Sequence, residues 1–451
     1  MLTMLRNTLR AAALGGGAWL LAASALSAAS SAPRPNILLL MADDLGYADL
    51  SVHGATDFQT PNLDRLAKSG VRFTDAYVTG PVCGPSRAGL ITGRNQARFG
   101  FQGHPGPGDT WGLPVEETTL SRVLQEAGYR TAIFGKWHLG EPKRYQPLQR
   151  GFDEFYGFLS GMHDYFQADD PRWGPIVKGN AEPAELDEYL TFELADRTID
   201  FIERSGTRDA PFFAWLSFNA PHTPLQAPDD YLAQTDHLEG PRRPTYAAMV
   251  MAMDDAVGEV LDALEASGQA RDTLVVFLSD NGGAMLEGGA INGASNAPLR
   301  GSKAQLWEGG IRVPFFMAWP GRIEPGRVSD QIVSTLDLFP TFARLAGART
   351  PDDLEGVDLA PALFPGAEGQ IPPRQLFWRF YGTNRAVRDE ALKWTQVERQ
   401  GGLFNLELDP GESADRSEAS PEALQRLQRD WREWHEDNAK VPLSQRAGAA
   451  E

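Results

Sequence analysis

Three stretches of this chain run apolar without alternation and then stop abruptly at polar groups: residues 37–42, 212–218 and 274–278. A fourth, residues 129–135, starts more polar and ends in the same way. A strand with one wet face alternates apolar and polar residues, whereas a strand buried on both faces does not. These runs therefore predict the inner strands of a mostly parallel sheet with helices on both faces. The polar groups that end them are Asp43-Asp44, Lys136-Trp137-His138, the Asn219 to His222 turn, and Asp280-Asn281. In such sheets the carboxyl ends of the strands share one edge, and ligands bind there.

Between the runs, residues 60–70, 119–128, 191–204 and 246–267 carry helical signals, and Ser334 or Thr335 caps a helix ending near Leu345. Residues 71–77 alternate like a strand, and 313–319 form one more apolar run. The expected main domain spans residues 30–347. Residues 348–371, rich in Pro, Asp and Gly, read as a linker or docking loop. Residues 372–451 read as a smaller α+β subdomain. Its strands are expected at 376–380, 391–397 and 401–406, followed by a helix with Leu424, Leu427, Trp431 and Trp434 on one stripe.

Residues 1–29 have the pattern of a secretory signal: basic Arg6 and Arg10, an apolar stretch, and Ser27-Ala28-Ala29 as a cleavage site. The expectation is an exported chain, periplasmic or secreted, with no stable membrane association once the signal is removed. Removal would take the formal net charge from −18 to −20, because the segment holds two bases and no acid. A chain this acidic is a poor partner for nucleic acid or anionic membrane. An anionic substrate would need a local cluster of cations. The single cysteine, Cys83, excludes an internal disulfide and leaves a thiol open to modification.

Adjacent carboxylates repel, so Asp43 and Asp44 are most comfortable around a cation. Lys136 and His138 stand two apart in an extended segment and can face the same way, a fixed charge beside a titratable proton carrier. His222 lies between two prolines on a strand-end loop, which holds it rigidly as a proton donor would require. Lys303 can deliver a second ammonium from a Gly-flanked segment. Arg98 and His104, in a Gly- and Pro-rich loop, and His163 and Asp164, beyond an aromatic stretch, are candidate substrate contacts. Pro85 suits the first turn of a helix that Gly93 would close. Cys83 would then sit just before that helix, at its positive dipole end, with Arg87 one turn in and able to reach back.

Cys83-Gly84-Pro85-Ser86-Arg87 followed by Thr92-Gly93-Arg94 resembles the signature of the type I sulfatases. The Gly135 to Gly140 stretch resembles the same family, and the motifs run in the family's order from Asp43-Asp44 to Pro410-Gly411-Glu412. One departure is Ile91, where leucine is usual. The resemblance implies an alkaline-phosphatase-like fold and hydrolysis of sulfate esters. It implies that a maturation enzyme converts Cys83 to formylglycine, whose hydrate is the nucleophile. Asp43, Asp44, Asp280 and Asn281, with converted Cys83, would bind Ca2+, or Mg2+ as the other hard cation. Arg87 would orient the hydrate, and Lys136 and Lys303 would neutralise sulfate oxygens. His222, with Lys303, would protonate the leaving oxygen, and His138 would accept the proton that releases sulfate. The expected substrate is a sulfated glycan, with small aryl sulfates also accepted. The rival on the same fold is a phosphodiester or phosphonate monoester hydrolase. A two-zinc phosphatase would need paired histidines that the metal set lacks. A silent glycan-binding protein would be expected to have lost Cys83, Arg87 or a metal ligand, and none is lost.

Overall fold

The computed structural model describes residues 34–206, 209–286, 289–290, 292–364, 371–381 and 383–438. The signal-like stretch 1–29 and the last residues of the chain lie outside them. All four runs form strands: Asn36–Ala42, Arg130–Lys136, Phe212–Ser217 and Thr273–Ser279. They are central members of a ten-stranded sheet. The order across its middle is Thr273–Ser279, Asn36–Ala42, Phe212–Ser217, Arg130–Lys136, Glu154–Phe158, and all of these neighbours are parallel.

Unbroken apolar runs put alternate side chains into two separate cores. Leu38, Leu40, Ala214, Leu216, Val275 and Phe277 pack on one face with Leu190–Ser205 and Arg243–Ala266. Ile37, Leu39, Met41, Phe213, Trp215 and Val276 pack on the other with Cys83–Thr92, Leu120–Glu126 and Leu338–Ala346. Polar side chains on either face would have left that face unable to hold its helices. The sheet is mixed because Phe315–Ala318 joins Thr273–Ser279 antiparallel and Val71–Phe73 then joins it antiparallel in turn. The strand expected over 71–77 is divided, its second part being Ala76–Tyr77. Ser334 caps the turn Thr335–Asp337 through a capping box, and the helix proper begins at Leu338.

A four-stranded antiparallel sheet with the helix Pro421–Asn438 follows. Leu427, Trp431 and Trp434 are the buried apolar stripe of that helix. One of its strands, Asn384–Asp389, was not expected. Its sequence NRAVRD is largely polar, and only Ala386, Val387 and Arg388 are buried. The 348–371 stretch docks where it is described: it carries the short helix Ala360–Leu363, and Leu359 and Leu363 are buried in the second core. Trp378 ties the smaller sheet to the main domain, its Nε1 donating to the carbonyl of Val78, just after the strand Ala76–Tyr77, at 2.7 Å. No helix among the described residues is long and apolar enough to cross a membrane.

Leu39 is fully buried in the middle of the central strand. Leu39→Ala is expected to cost about 2–5 kcal/mol of unfolding free energy by denaturant titration.

Candidate active site

Strand register decides which side chains meet. Ala42 pairs with Ser279, Met41 with Ser217, and Ser217 with Gly135. Asp43, Asp280 and Lys136 are the next residues, so they leave the sheet side by side. The ladder continues one step further: the Asp280 N–H donates to the Ala42 carbonyl and the Asp43 N–H to the Ala220 carbonyl, both at 3.0 Å. At Asp44 and His138 the backbone turns left-handed, with φ of 65° and 59°. Such turns cost energy in non-glycine residues and collect at functional sites.

The helix Cys83–Thr92 is buried along its whole length. Cys83 is its first residue rather than the one before it, Val82 is the extended N-cap, and Gly93 closes it with φ 65°. Burial pushes the Cys83 thiol up, but the Lys136 and Lys303 charges outweigh it and hold the group at about 6. Arg87 is fully buried. Its Nε donates to Asp280 Oδ2 at 2.9 Å, and its Nη1 donates to Ser217 Oγ at 2.6 Å and to the Lys136 carbonyl at 3.0 Å. Arg87 thereby ties three strand ends together. Ser217, which sequence reading passed over, is the lone hydroxyl in its apolar strand, and that oddity was the available signal.

Two ammonium groups end on the paired carboxylates. Lys136 Nζ lies 2.6 Å from Asp43 Oδ2, and Lys303 Nζ lies 2.8 Å from Asp44 Oδ2. Burial opposes ionisation of Asp44, but Lys303 and His222 overcome it and hold the group at about 2. Burial and Asp43 push Asp280 up to about 6. His222 Nδ1 faces the Thr223 carbonyl at 2.6 Å. A carbonyl only accepts, so that nitrogen carries a proton. Its Nε2 lies 3.5 Å from Asp44 Oδ2. Burial and Lys303 push His222 down, Asp43 and Asp44 push it up, and the balance lies above the ordinary value. His138 is the reverse case. Burial first, then Lys136 and His104, hold it well below the ordinary value, so it is neutral and able to accept a proton. A Cβ on Gly161 would come within 2.7 Å of the His138 ring.

Asp43, Asp44, Cys83 and His222 each present a ligand atom, all within 4.8 Å of one another. Asp43 Oδ1 and Asn281 Oδ1 are buried with no hydrogen-bond partner among the described residues. Orphaned oxygens inside a carboxylate cluster fit a hard divalent cation. Asp280 lies outside the tightest set, its Oδ2 accepting from Arg87 and its Oδ1 from the Asp44 N–H. Asn281 Nδ2 donates to Asp44 Oδ1 at 2.7 Å.

The candidate substrate contacts divide. His104 reaches the site: its Cβ would lie 2.8 Å from a Cβ built on Gly84, and its ring stands 5.2 Å from that of His138. The residue as a whole is solvent-exposed, yet its packing against the site, with the Lys303 and Lys136 charges nearby, holds it down at about 4. The other three make contacts within the protein. Arg98 donates to Glu355 Oε1 at 2.9 and 2.7 Å and lies over the Trp434 ring. Asp164 accepts from the Phe166 N–H and from Gln226 Nε2, both at 2.8 Å. His163 is fully buried, with its Nδ1 on the Asp164 carbonyl at 2.7 Å and its ring against Phe158. Arg98 and Asp164 are held by these contacts, while His163 keeps a buried Nε2 with no hydrogen-bond partner among the described residues.

A mixed sheet with this edge, a buried anion-and-cation cluster and a helix-borne Cys83 define a hydrolase of the alkaline-phosphatase-like fold. Residues 35–348 match the family model described as Sulfatase, and residues 302–432 match the one described as N-sulphoglucosamine sulphohydrolase, C-terminal. The chain belongs to the sulfatase family and is a sulfuric ester hydrolase. It is 35% identical to N-acetylgalactosamine-6-sulfatase of Canis lupus familiaris, over 90% of this chain and 86% of that one. It is 33% identical to arylsulfatase G of Rattus norvegicus, over 88% and 85%. Among solved structures, Ps i-CgsB in complex with k-i-k-neocarrahexaose superposes with a TM-score of 0.84 at 38% identity, covering 90% of this chain and 94% of that one. PsFucS1 sulfatase from Pseudoalteromonas sp. does so with a TM-score of 0.78 at 27% identity, covering 91% of each.

In chelator-treated protein that keeps the encoded thiol, ultraviolet thiolate absorbance should titrate around pH 6. Lys136→Met should move the midpoint upward, because it removes the first of the two charges that favour the anion.

Proposed function

We propose that this sulfatase removes sulfate from a sulfated carbohydrate, using a formylglycine made from Cys83 and one Ca2+ or Mg2+ ion. The observation that carries the reading is the junction of the Cys83–Arg87 motif with the Asp43-Asp44 pair, on which both lysines converge. The neighbour solved with a neocarrahexaose supports the carbohydrate class. So does the side of the site next to His138, where His104 is exposed and open to a substrate ring.

Asp43, Asp44, Asp280 and Asn281, with converted Cys83, would hold the cation. When present, the cation polarises a sulfate oxygen and the formylglycine hydrate supplies an oxygen nucleophile. The remaining work belongs to the chain's own side chains. Lys136 and Lys303 hold the anion and offset charge as it grows on sulfate oxygens. Arg87 keeps Asp280 and the Lys136 backbone in place through its bonds to both. His222, oriented by the Thr223 carbonyl, delivers the proton from Nε2 to the leaving alcohol oxygen. His138, neutral and backed by Gly161, accepts the proton released when sulfate departs. Conversion of Cys83 requires a formylglycine-generating partner enzyme. Residues 1–29 support export to the periplasm or medium.

The test uses protein whose Cys83 conversion has been checked by peptide mass. Sulfate release is followed from an aryl sulfate and a panel of sulfated glycans, beside an aryl phosphodiester and a phosphonate monoester. Sulfate release should vanish in Cys83→Ala and Asp280→Ala. Phosphoester cleavage without sulfate release would replace this reading with the phosphodiester or phosphonate monoester hydrolase. Lys303→Ala should lower kcat by about a hundredfold to a thousandfold. Chelation should lower both activity and melting temperature, and Ca2+ should restore both. Amino-terminal sequencing of the exported fraction should begin at residue 30, and a retained 1–29 segment would overturn the export proposal.

A further inference from the structure

Gly282 follows Asn281 and has no room for a side chain: a Cβ there would lie 1.8 Å from the Gly309 carbonyl oxygen. Its N–H donates to the Gly310 carbonyl at 3.1 Å, and the Gly283 carbonyl accepts the Lys303 N–H at 3.1 Å. The Gly309 N–H donates to the Arg300 carbonyl at 2.7 Å. A Cβ on Gly310 would lie 2.1 Å from the Gln305 carbonyl oxygen. Residues 300–310 therefore form one folded block. It carries Lys303 and is pressed, backbone to backbone, against the turn that holds Asn281.

The block is gripped from the C-terminal subdomain at Glu308, a fully buried acid with no part in the reaction as described above. The Glu308 N–H donates to Glu412 Oε2 at 2.7 Å. The Glu308 carboxylate meets Lys393 Nζ at 2.9 Å and accepts from the Tyr77 hydroxyl at 2.6 Å. Lys393 Nζ also reaches Glu412 Oε1 at 2.9 Å, and both side chains are 0% exposed. Asp75, paired with Arg312 at 3.0 Å and Arg388 at 2.6 Å, completes the group. The three acids and three bases cancel in formal charge.

Packed apolar side chains would hold two sheets together at lower cost, because buried ion pairs recover little of their desolvation. Charges add direction. Glu412 fixes one backbone N–H and Lys393 fixes one carboxylate, which together set the rotation of the 308–310 turn and hence the seat of Gly282. We infer that Lys393 and Glu412 are positioning residues for Asn281 and Lys303, so that the cation-binding edge is in register only when the C-terminal subdomain is docked. The inference rests on the proposed roles of Asn281 and Lys303.

The test compares Glu412→Ala, Lys393→Met and Glu412→Gln in the full chain. Ca2+ affinity is measured by calorimetry, and kcat and KM on an aryl sulfate. The Ala and Met variants should bind Ca2+ roughly tenfold to a hundredfold more weakly. Their kcat should fall more than KM rises. Glu412→Gln keeps an oxygen for the Glu308 N–H and should recover most of the loss. Folded Ala and Met variants with wild-type Ca2+ affinity and kcat would overturn the inference, as would a lowered melting temperature with unchanged affinity. Should either variant fail to fold, Tyr77→Phe removes only the hydroxyl that donates to Glu308 and accepts from Arg388, and unchanged Ca2+ affinity in that protein would overturn the inference equally. If the wild type binds Ca2+ but releases no sulfate, the functional reading fails and the calcium measurements still decide the positioning.

Discussion

Three carboxylates and three cations, nearly all removed from solvent, meet at one edge of the sheet. Asp43, Asp44 and Asp280 face Lys136, Lys303 and Arg87, and only the Lys303 side chain keeps appreciable exposure, at 21%. None of these charges is tolerable there alone, since an unpaired buried ion costs several kcal/mol even after relaxation (about 3–5 kcal/mol on removing its partner). The rest of the architecture keeps them together. Parallel strands in register bring three of them to the same level. The wholly buried helix Cys83–Thr92 brings Arg87 underneath, and the 300–310 block brings Lys303 from the far side. Within this cluster the unpartnered Asp43 Oδ1 and Asn281 Oδ1 are the atoms that fit a hard divalent cation.

The same field sorts the histidines. His138 and His222 stand at one edge, yet one is held below its ordinary value and the other above it. Burial disfavours the charged form of both. His222 meets Lys303 but also Asp43 and Asp44, which tip its balance upward, whereas His138 meets only the positive side, from Lys136, His104, Arg87 and Lys303. Opposite shifts therefore come from the balance of charge around each ring, not from different chemistry in the side chains.

What could be read from the chain alone follows physical lines. Runs such as LLLMA and FFAWLS are unbroken because both faces of their strands are buried, so strand identity, sheet class and the polar strand ends were legible. The motif around Cys83 identified its own neighbourhood. The strand Asn384–Asp389 was not legible, because its polar residues resemble a loop and its pairing comes from flanking strands. Arg98, His163 and Asp164 had the right chemistry for substrate contacts. Their actual partners depend on tertiary packing: Glu355, for example, lies 257 residues from Arg98. Gly282 likewise looks like an ordinary turn glycine until the Gly309 carbonyl is seen against it.

The burial of the Cys83 helix has a consequence for the order of events in the life of the protein. Cys83 is 3% exposed, and the nine residues that follow it are also enclosed. An enzyme that must grip the motif as an extended peptide cannot do so once this helix has docked. A change made by such an enzyme therefore competes with folding in time, and the outcome is set by whichever is faster. A chain made faster than it is modified would fold around an unchanged thiol and keep it, so the yield of competent molecules becomes a kinetic property of synthesis rather than an equilibrium property of the finished protein.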